Sequence, residues 1–386
     1  MCDTKFTDVS GKNIVLLTPR RDEMGITQKD MARNLGISFI TVNRALNGTG
    51  YVSEELKQRI FDYAQEHNYV PHKASQVLVR NTSKHISLFS SSLPEYFWND
   101  IGQGVEIAAQ QIRPFNYEVT YHRIPEHDSE TYLRLLTEDI EKGTDAIALV
   151  NQRKYDMPAI FELIQKANIP FVTFNTDAPQ SERLCYIGTD YSAGGRLAAD
   201  FIGRALQLSE KRKVLVIQCN EEDVKVTDSP DINNMRLEGF ASVMETQYPQ
   251  ITCKVEYIST KLQPGYKDDQ ILDVLKKYQD KVQAIYLIPA FNTDFLSALK
   301  SLPPQNAITI LHDLDSSAVL DLETRMLSAV VYQSPVLQGY YTVKALEQIL
   351  EEKNPEKIPD IEIVHTLVLA ENSNLIRSQN ALYFNI

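Results

Sequence analysis

Long apolar runs are missing from this chain of 386 residues. No stretch approaches the roughly 18 to 20 apolar residues that span a bilayer, and the longest candidates, 146–150 and 282–290, have the length of strands. The apolar run at 14–17 is too short for the core of a secretion signal. We therefore expect a cytoplasmic protein without a membrane partner.

Cysteine is scarce, with four residues that lie far apart at Cys2, Cys185, Cys219 and Cys253. There is no CxxC pair and no Cys/His cluster at the spacing of metal ligands. The sequence therefore predicts reduced cysteines that mostly fill core positions, with no disulfide framework, no metal and no cofactor.

Catalytic signatures are also absent. The chain has no GxSxG elbow and no HExxH helix, and the GQG at 102–104 lacks the spacing of a nucleotide loop. His312 and Asp313 are neighbours on an expected strand, where successive side chains point to opposite faces. We therefore expect a protein that is not an enzyme.

Basic residues are fewer than acidic ones. The chain has 39 Lys and Arg and 51 Asp and Glu, so its net charge is -12. The deficit is uneven, because residues 24–85 carry a small positive excess while the remainder is strongly acidic. If the chain meets nucleic acid, the basic segment is the part expected to meet phosphate.

Cap residues and apolar residues at helical spacing predict three short helices in that basic segment, between residues 26 and 69. Thr27, with Asp30 three residues on, begins the first, Ser38 caps the second, and Ser53 caps the third. Gly36 ends the first helix, and Asn47-Gly48 ends the second. Two short helices around a Gly-containing turn, followed by a third, are a helix-turn-helix pattern.

The period of the apolar residues changes after about residue 85, where short buried-type strands alternate with helices. This pattern is typical of a doubly wound α/β architecture with parallel sheets, and about 300 residues of it favour two similar lobes. The expected strands are 86–89, 117–121, 146–150, 171–174, 214–218, 255–258, 284–288 and 308–311, with helices such as 101–111, 132–142, 159–167, 193–206 and 235–246.

Residues 26–78 read ITQKDMARNLGISFITVNRALNGTGYVSEELKQRIFDYAQEHNYVPHKASQVL, and they closely resemble the DNA-binding headpiece of LacI/GalR-family transcription regulators. The resemblance implies a helix-turn-helix domain over 24–70, a hinge helix and linker over 71–84, and a two-lobed, periplasmic-binding-protein-like core for effector binding and dimerisation over 85–386. Residues 1–23 match nothing in this scheme and are expected to be an extension of no assigned role, with Met24 as the functional start.

A recognition helix that begins at Ser38 would present Phe39, Ile40, Asn43 and Arg44 to base edges in the major groove. Arg44 can bond bidentately to guanine and Asn43 to adenine, whereas Phe39 and Ile40 offer only apolar contact, for example to thymine methyls. Packing of Phe39 and Ile40 within the headpiece is the alternative. The family usually has another polar reader here, so the operator sequence is left open.

The resemblance also implies phosphate contacts, which fix register without carrying sequence information. They would come from hydroxyls, an amide and helix N-termini at Thr27, Ser38, Thr41, Asn47, Tyr51 and Ser53. The role of helix cap explains Thr27, Ser38 and Ser53 equally well, and the two roles are compatible.

Leu78 matches the leucine of the family's hinge helix, which orders in the minor groove and wedges between central base pairs. Wedging needs two copies side by side, so the resemblance implies a homodimer on double-stranded DNA with a near-palindromic operator. No heptad repeat ends the chain, which favours a dimer over a tetramer.

Residues 86–375 resemble the sugar-binding branch of the same fold. Aromatic rings that stack on sugars are expected at Phe97 and Trp98, although an ordinary core cluster is the alternative. Polar and aromatic residues at strand ends complete the expected effector site, since ligands collect there in this fold. The expected effector-binding residues are Phe97, Trp98, Asn151, Asn175, Asp177, Asn234, Arg236, Phe291, Asn292, Asp313 and Gln333.

Two details of this site depart from the commonest pattern or remain open. Asn234 stands where many members have an arginine, so the effector's hydroxyl pattern or charge can differ from theirs. Asp190 is interpreted as structural, beside a Gly194-Gly195 pair that allows close packing of helix on strand.

The resulting hypothesis is a ligand-responsive transcription regulator, most simply a repressor that a sugar releases from DNA. A solute-binding receptor and a sugar-modifying enzyme are the rival classes. A receptor has no use for a basic helix-turn-helix, and an enzyme needs a nucleophile or an acid–base pair at a strand end. The identity of the sugar, the operator and the sign of the response are left open.

Overall fold

The computed structural model describes most of the chain. The described residues are 6–7, 13–14, 26, 28–47, 52–67, 83–220, 229–259, 266–289, 292–302, 307–314, 316–352 and 357–374. The chain divides into two compact units, Met1–Thr82 and Ser83–Ile386, and each is described by itself.

The described part of the first unit contains a short antiparallel pair and three helices, and the three helices agree with the sequence prediction. The pair joins β1 (Phe6–Thr7) to β2 (Asn13–Ile14). The helices are α1 (Gln28–Leu35), α2 (Phe39–Asn47) and α3 (Glu54–Glu66).

Apolar residues at helical spacing bring these three helices together. Met31 of α1, Val42 and Ala45 of α2 and Ile60 of α3 form one small core. Gly36 takes a φ of 67°, the left-handed conformation that ends α1 and turns the chain toward α2. The arrangement is a helix-turn-helix followed by a third helix.

The second unit has two sheets of six strands each, which confirms the expectation of an α/β fold with two similar lobes. In lobe 1 the strand order is β13-β7-β6-β5-β3-β4, and in lobe 2 it is β14-β12-β11-β10-β8-β9. Every described pairing in the two sheets is parallel except that of β12 with β14.

The strands of lobe 1 are β3 (Lys84–Ser91), β4 (Tyr117–Ile124), β5 (Ala146–Leu149), β6 (Phe171–Phe174), β7 (Tyr186–Gly188) and β13 (Ile361–Glu362). Its helices are α4 (Glu95–Ile112), α5 (Ser129–Glu141), α6 (Met157–Ala167) and α12 (Pro335–Glu351). A short 3-10 turn, Arg113–Phe115, follows α4.

The strands of lobe 2 are β8 (Lys213–Asn220), β9 (Thr252–Ser259), β10 (Ala284–Leu287), β11 (Ile308–His312), β12 (Ala329–Tyr332) and β14 (Thr366–Val368). Its helices are α7 (Tyr191–Ala205), α8 (Ile232–Gln247), α9 (Tyr266–Tyr278), α10 (Asn292–Ser301) and α11 (Ser316–Glu323).

The chain passes between the lobes three times, after β7, after β12 and after β13. Each passage leaves the carboxyl end of a strand, so the connections and the strand ends share one region of the unit. This topology brings polar residues from sequence-distant loops to the junction of the lobes.

Glycine permits a close approach of two helices in lobe 2. A Cβ on Gly195 of α7 would lie 1.9 Å from the carbonyl oxygen of Arg236 on α8. Gly194 faces His312 of β11 and His365 instead. The expected helix-on-strand packing therefore holds for Gly194, while Gly195 serves helix-on-helix packing.

The cysteines Cys185 and Cys219 are buried and Cys253 is half-buried, and all three are free thiols, as predicted. Cys2 lies outside the described residues. Within the described ranges no helix has the length and hydropathy needed to cross a membrane.

Candidate functional site

The recognition-helix candidate α2 turns one face to solvent. Phe39 is 43% exposed and Ile40 is 59% exposed, and Arg44 is also exposed. Val42 and Ala45, on the opposite face, are buried. The alternative in which Phe39 and Ile40 pack within the headpiece is therefore wrong, and both side chains are available to a partner.

Asn43 is less available than these neighbours. Its side chain is half-buried, and its amide donates to the side-chain oxygen of Gln28 on α1 at 3.1 Å. A base contact by Asn43 would have to share or exchange this bond, so the predicted reading of adenine stays a prediction.

The cap residues take the structural roles expected of them. The Ser38 hydroxyl accepts from the backbone N–H of Thr41 at 3.1 Å and shares a hydrogen bond with the Thr41 hydroxyl at 2.8 Å. The Ser53 hydroxyl accepts from the N–H of Leu56 at 3.4 Å. Phosphate contact by these groups stays a prediction.

The remaining predicted DNA contacts are placed only in part. Asn47 is the last residue of α2. Thr27, Tyr51 and Leu78 lie outside the described residues.

In the second unit, four predicted effector residues follow strand ends and are buried at the junction of the lobes. Asn151 follows β5, Asn175 follows β6, Asp313 follows β11, and Gln333 follows β12. Parallel strands present their carboxyl ends at one edge, which is where an open α/β sheet binds ligands. The structure thus places residues from both lobes at one interlobe crevice.

Arg236, on the first turns of α8, is buried at this junction. Its guanidinium donates to the carbonyl oxygen of Ile288 at 3.0 Å and lies over the Tyr191 ring at 5.4 Å. A carboxylate oxygen of Asp313 is 3.8 Å from the guanidinium, within ion-pair range but beyond a direct hydrogen bond. The Nε of Arg236 has no hydrogen-bond partner among the described residues.

Asp313 is a buried carboxylate at a turn with a φ of 68°. Burial raises the pKa of its carboxyl, while the Arg236 charge and a hydrogen bond from Gln333 act in the opposite direction. The Gln333 amide donates that bond at 2.7 Å. Asp313, Arg236 and Gln333, which are three of the predicted effector residues, therefore lie together as one group of hydrogen-bond donors and acceptors.

Gln338 of α12 is a member of this network that the sequence analysis missed. Its amide donates to the backbone carbonyl of Gln333 at 2.9 Å, and its oxygen accepts from Asn175 at 3.1 Å. The side chain is fully buried. It joins two predicted effector residues, and no local pattern in the sequence marks it, because a glutamine on a helix is usually at the surface.

Direct contacts join the two lobes across the crevice. The Arg153 guanidinium from lobe 1 lies 3.1 Å from the Asp231 carboxylate of lobe 2 and donates to the carbonyl oxygen of Ser229 at 3.0 Å. The Ser229 hydroxyl donates to the side-chain oxygen of Asn151 at 2.6 Å. Asp231 also caps α8. We call Asn151, Arg153, Ser229 and Asp231 the interlobe bridge.

Asp177 departs from its predicted role. Its carboxylate accepts from the Arg183 guanidinium at 2.8 Å and from the Thr173 hydroxyl at 2.7 Å. Arg183 also pairs with Asp360 at 2.7 Å. The side chain predicted to meet the effector is thus used to hold the loop after β6 to the segment before β13.

Phe97 and Trp98 lie in a helix, whereas the sequence predicts a helix only from residue 101. The helix α4 begins at Glu95, six residues earlier than expected, so Phe97 and Trp98 lie on its first turn. Both rings are buried in the core of lobe 1, and the Trp98 indole N–H donates to the carbonyl oxygen of Leu93 at 2.8 Å. The core cluster that was the alternative describes this arrangement, and stacking on a sugar stays a prediction.

Asp190 has the structural role expected of it. Its side chain accepts from the N–H of Ala193 at the start of α7 and pairs with Arg196 at 2.8 Å. Asn234, in contrast, is exposed on the first turn of α8 and bonds to Asp231 and Gln218. Phe291 lies outside the described residues, and Asn292 is the first residue of α10.

Two histidines, His312 and His365, lie close to Arg236. His312 is fully buried and forms a 2.6 Å hydrogen bond with the Tyr286 hydroxyl. Burial and the nearby Arg236 charge lower the pKa of His312 and lower that of His365 to about 4. Both imidazoles are therefore neutral at pH 7. The described residues contain no group of His, Cys, Asp and Glu arranged to hold a metal ion.

A helix-turn-helix unit followed by a two-lobed α/β unit with a polar crevice defines a two-part regulatory architecture. Residues 27–72 match the family described as bacterial regulatory proteins, lacI family, and residues 86–354 match the periplasmic binding protein domain. The chain therefore belongs to the periplasmic binding protein domain family through its core, and its residues 27–72 form a helix-turn-helix domain of the lacI family.

Curated relatives agree with this assignment. The chain is 24% identical to the probable HTH-type transcriptional repressor ExuR of Bacillus subtilis (strain 168), over 60% of this chain and 61% of that protein. It is 27% identical to the ribose operon repressor of Halalkalibacterium halodurans, over 46% of this chain and 50% of that one. Catabolite control protein A of Staphylococcus epidermidis is 21% identical over 89% of this chain and 98% of its own length.

The chain thus spans about half to three fifths of the first two relatives in these matches. Two of these proteins are named as repressors and the third as a control protein.

Solved structures share the fold of the second unit. A LacI transcriptional regulator from Bacteroides fragilis aligns with a TM-score of 0.65 at 17% identity, over 76% of this chain and 99% of that one. AraP, an arabinose-binding protein from Geobacillus stearothermophilus, aligns with a TM-score of 0.63 at 19% identity, over 76% and 99% of the two chains. At these identities the likeness shows the fold alone.

Proposed function

We propose that this protein is a sequence-specific DNA-binding transcriptional regulator, a repressor, whose operator affinity is controlled by a small carbohydrate-like effector bound between the two lobes of the core. The observation that carries the proposal is the pairing, in one chain, of an exposed helix α2 in a helix-turn-helix unit with a buried polar network at the junction of the lobes in a two-lobed unit.

DNA binding is assigned to the first unit. The exposed Arg44 is suited to a bidentate contact with guanine, and Phe39 and Ile40 are exposed beside it. Asn43 is a further candidate reader, and Thr27, Ser38, Thr41, Asn47, Tyr51 and Ser53 are proposed to hold phosphates. A regulator of transcription acts where the chromosome is, so we place the protein in the cytoplasm.

The DNA partner is proposed to be a near-palindromic operator bound by a homodimer. A single helix-turn-helix covers only a half-site, and two-fold symmetry in the protein is matched by symmetry in the DNA. Leu78 from each copy would wedge side by side in the minor groove at the centre of the site.

The effector is proposed to be a sugar or a close relative of one. Arg236, Asp313 and Gln333 offer a guanidinium, a carboxylate and an amide within one buried group, which suits hydroxyls because each hydroxyl both donates and accepts. Asn151, Asn175, Asn234, Phe291 and Asn292 are proposed as further contacts. The names of the relatives, a ribose operon repressor and an arabinose-binding protein among them, point to the same chemistry.

The two functions are proposed to be coupled through the lobes. A sugar that binds one arrangement of the lobes more tightly than another shifts their populations, and operator affinity shifts by the same factor. We propose the direction in which the sugar lowers operator affinity, so that its presence permits transcription.

Selection of bound sites from a random duplex DNA library by the purified protein tests this proposal. Recovery of one near-palindrome is the expected result. The variant Arg44→Ala should then bind the selected duplex about five- to 150-fold more weakly, because a good bidentate base contact contributes about 1–3 kcal/mol. Recovery of salt-sensitive binding alone, without a preferred sequence, would contradict sequence-specific regulation.

The matched control is Arg33→Ala, which removes the same charge from the exposed side of α1 and should leave the preferred sequence unchanged. Equal losses in the two variants would mean that Arg44 acts only as a positive charge.

A further inference from the structure

The exposed face of α2 is unusually apolar for a surface that would meet DNA. The headpiece places Phe39 at 43% exposure and Ile40 at 59% exposure on the first turn of this helix. Among the described residues of this unit, the other large apolar side chain that is exposed is Phe61 on α3, at 42%. Of the three exposed side chains at 39, 40 and 44, only Arg44 is polar.

Three polar side chains around this face have hydrogen-bond partners within the headpiece. The Ser38 and Thr41 hydroxyls bond to each other at 2.8 Å, and Asn43 donates its amide to Gln28 at 3.1 Å. The helix therefore presents two neighbouring apolar side chains on its first turn, with Arg44 one turn further along.

Among the groups that line a DNA major groove, the apolar one is the C5-methyl of thymine. Cytosine that carries a 5-methyl group presents the same methyl at the same ring position. The phosphates are anionic, and the other base edges expose donors and acceptors, which gain nothing from contact with phenyl or butyl groups.

We infer that Phe39 and Ile40 form a methyl-reading surface, so that the half-site carries at least one thymine whose methyl they cover and accepts 5-methylcytosine there in place of thymine. This inference rests on the proposed function, since it requires α2 to lie in the major groove. It goes further by naming the chemical group on DNA that these two residues recognise.

The expected size of the effect follows from apolar burial. Removing one methyl group from a contact that excludes water weakens binding by about fourfold. Deoxyuridine lacks only this methyl and keeps the pairing edge, the phosphates and the groove acceptors of thymidine. It therefore isolates the contact that Phe39 and Ile40 are inferred to make.

The experiment starts from the duplex obtained by site selection. Each thymine of one half-site, and its symmetry mate, is replaced by deoxyuridine, and the dissociation constant is measured by fluorescence anisotropy at fixed salt. At least one replacement should weaken binding about fourfold for each methyl removed. At that position, cytosine should bind more weakly than 5-methylcytosine by a similar factor.

Variants show whether the two side chains are responsible. In Phe39→Ala or Ile40→Ala, the thymine-to-deoxyuridine effect at the sensitive position should fall toward onefold, because the methyl then has no apolar partner. Phe61→Ala removes an equally exposed phenyl group from α3 and should keep the full effect. The replaced side chains are exposed, and retained helical circular dichroism checks that each variant is folded.

The outcomes separate the inference from the proposed function. If site selection yields no preferred sequence, the proposed function fails and the inference fails with it. If a sequence is selected but every thymine tolerates deoxyuridine, sequence-specific binding stands and methyl reading is overturned. Methyl reading by these side chains is also overturned if the deoxyuridine effect persists unchanged in both alanine variants.

Discussion

The buried amide of Gln338 connects residues that lie far apart in the sequence. It receives a hydrogen bond from Asn175 and gives one to the backbone of Gln333, whose own amide bonds to Asp313. The direction of donation runs from Asn175 through Gln338 and Gln333 and ends on a carboxylate, which only accepts when ionised. The chain of bonds thus fixes the orientation of three predicted effector residues.

Replacing Gln338 with Met is expected to destabilise the protein by about 1–3 kcal/mol, because the amide of Asn175 and the carbonyl of Gln333 lose their buried partner. Urea unfolding measures the change in the free energy of unfolding. The control is Gln110→Met on α4, where the glutamine is exposed, and a change within about 0.5 kcal/mol is expected. Equal stabilities for the two variants would count against the network.

His365 makes the stability of the core depend on pH. Burial and the Arg236 charge hold its pKa at about 4, while Asp190 acts in the opposite direction and His312 lies close by. The unfolded chain binds a proton near pH 6.5, whereas the folded chain does so only near pH 4. Stability contributed by the neutral form is therefore complete above about pH 6.5 and is lost as the pH falls toward 4.

The variant His365→Gln cannot bind this proton, so its free energy of unfolding should fall less steeply than that of the parent between pH 6.5 and 4. The difference should reach about 3 kcal/mol at most. Urea unfolding at half-unit pH intervals measures both curves. Parallel curves across this window would show that His365 does not titrate between the two states.

At the scale of elements, the close crossing of α7 and α8 holds Arg236 in place. Gly195 allows the backbone of α7 to approach the Arg236 carbonyl, and a Cβ there would sit 1.9 Å from that oxygen. The main chain of α8 would have to move to admit a methyl group. The position of the Arg236 guanidinium at the crevice is thus tied to a glycine on another helix.

Gly195→Ala is expected to lower the free energy of unfolding by about 1–3 kcal/mol, because the helices must separate to admit the methyl group. Gly102→Ala on α4 is the comparison, since its nearest contact is a Tyr121 ring carbon at 3.2 Å and a side chain can yield more easily than backbone. Thermal unfolding of both variants measures the difference. A smaller loss at Gly195 than at Gly102 would contradict this packing.

Much of the architecture could be predicted because parallel strands that are buried on both faces read as short apolar runs. The run at 171–174 matches β6 residue for residue, and the caps at Ser38 and Ser53 were located by their hydroxyls. The strand β12 and the short strands β7, β13 and β14 were not predicted. The last three have only two or three residues, which carry no period.

The position of a site residue could be predicted from the sequence where that residue directly follows the end of a strand. Asn175, Asp313 and Gln333 lie at the junction because they follow strand ends, and the resemblance identified Arg236. Two features of the site depend on contacts between residues distant in sequence. Arg183 pairs with both Asp177 and Asp360, and Gln338 bonds to Asn175. A pattern in a single sequence does not specify such pairings.

At the scale of the whole second unit, the interlobe bridge holds the two lobes together. The Arg153–Asp231 ion pair spans the crevice, and both side chains are about one quarter exposed. Such a pair is worth about 0.5–1 kcal/mol after screening by solvent. The bridge therefore favours the observed arrangement of the lobes, which we call closed, over one in which they separate, by a small margin that a ligand can increase.

Arg153→Gln is expected to reduce the ratio of closed to open molecules about two- to fivefold. Double electron–electron resonance spectroscopy, with one spin label on α6 of lobe 1 and one on α8 of lobe 2, measures the distribution of distances between the lobes. Arg204→Gln, which breaks an ion pair with Asp200 within α7, should leave that distribution unchanged. If the distribution were also unchanged in Arg153→Gln, the Arg153–Asp231 ion pair would not stabilise the closed arrangement.

Operator binding in the first unit is proposed to be coupled to sugar binding in the second. The most direct test measures the affinity of the selected duplex with and without D-ribose, L-arabinose, D-galactose and D-galacturonate, and measures in parallel how each sugar shifts the thermal unfolding temperature. A sugar that raises the unfolding temperature should weaken operator binding by about five- to 150-fold. If such a sugar left operator affinity unchanged, the two sites would be independent and the account of an effector-controlled regulator would be contradicted.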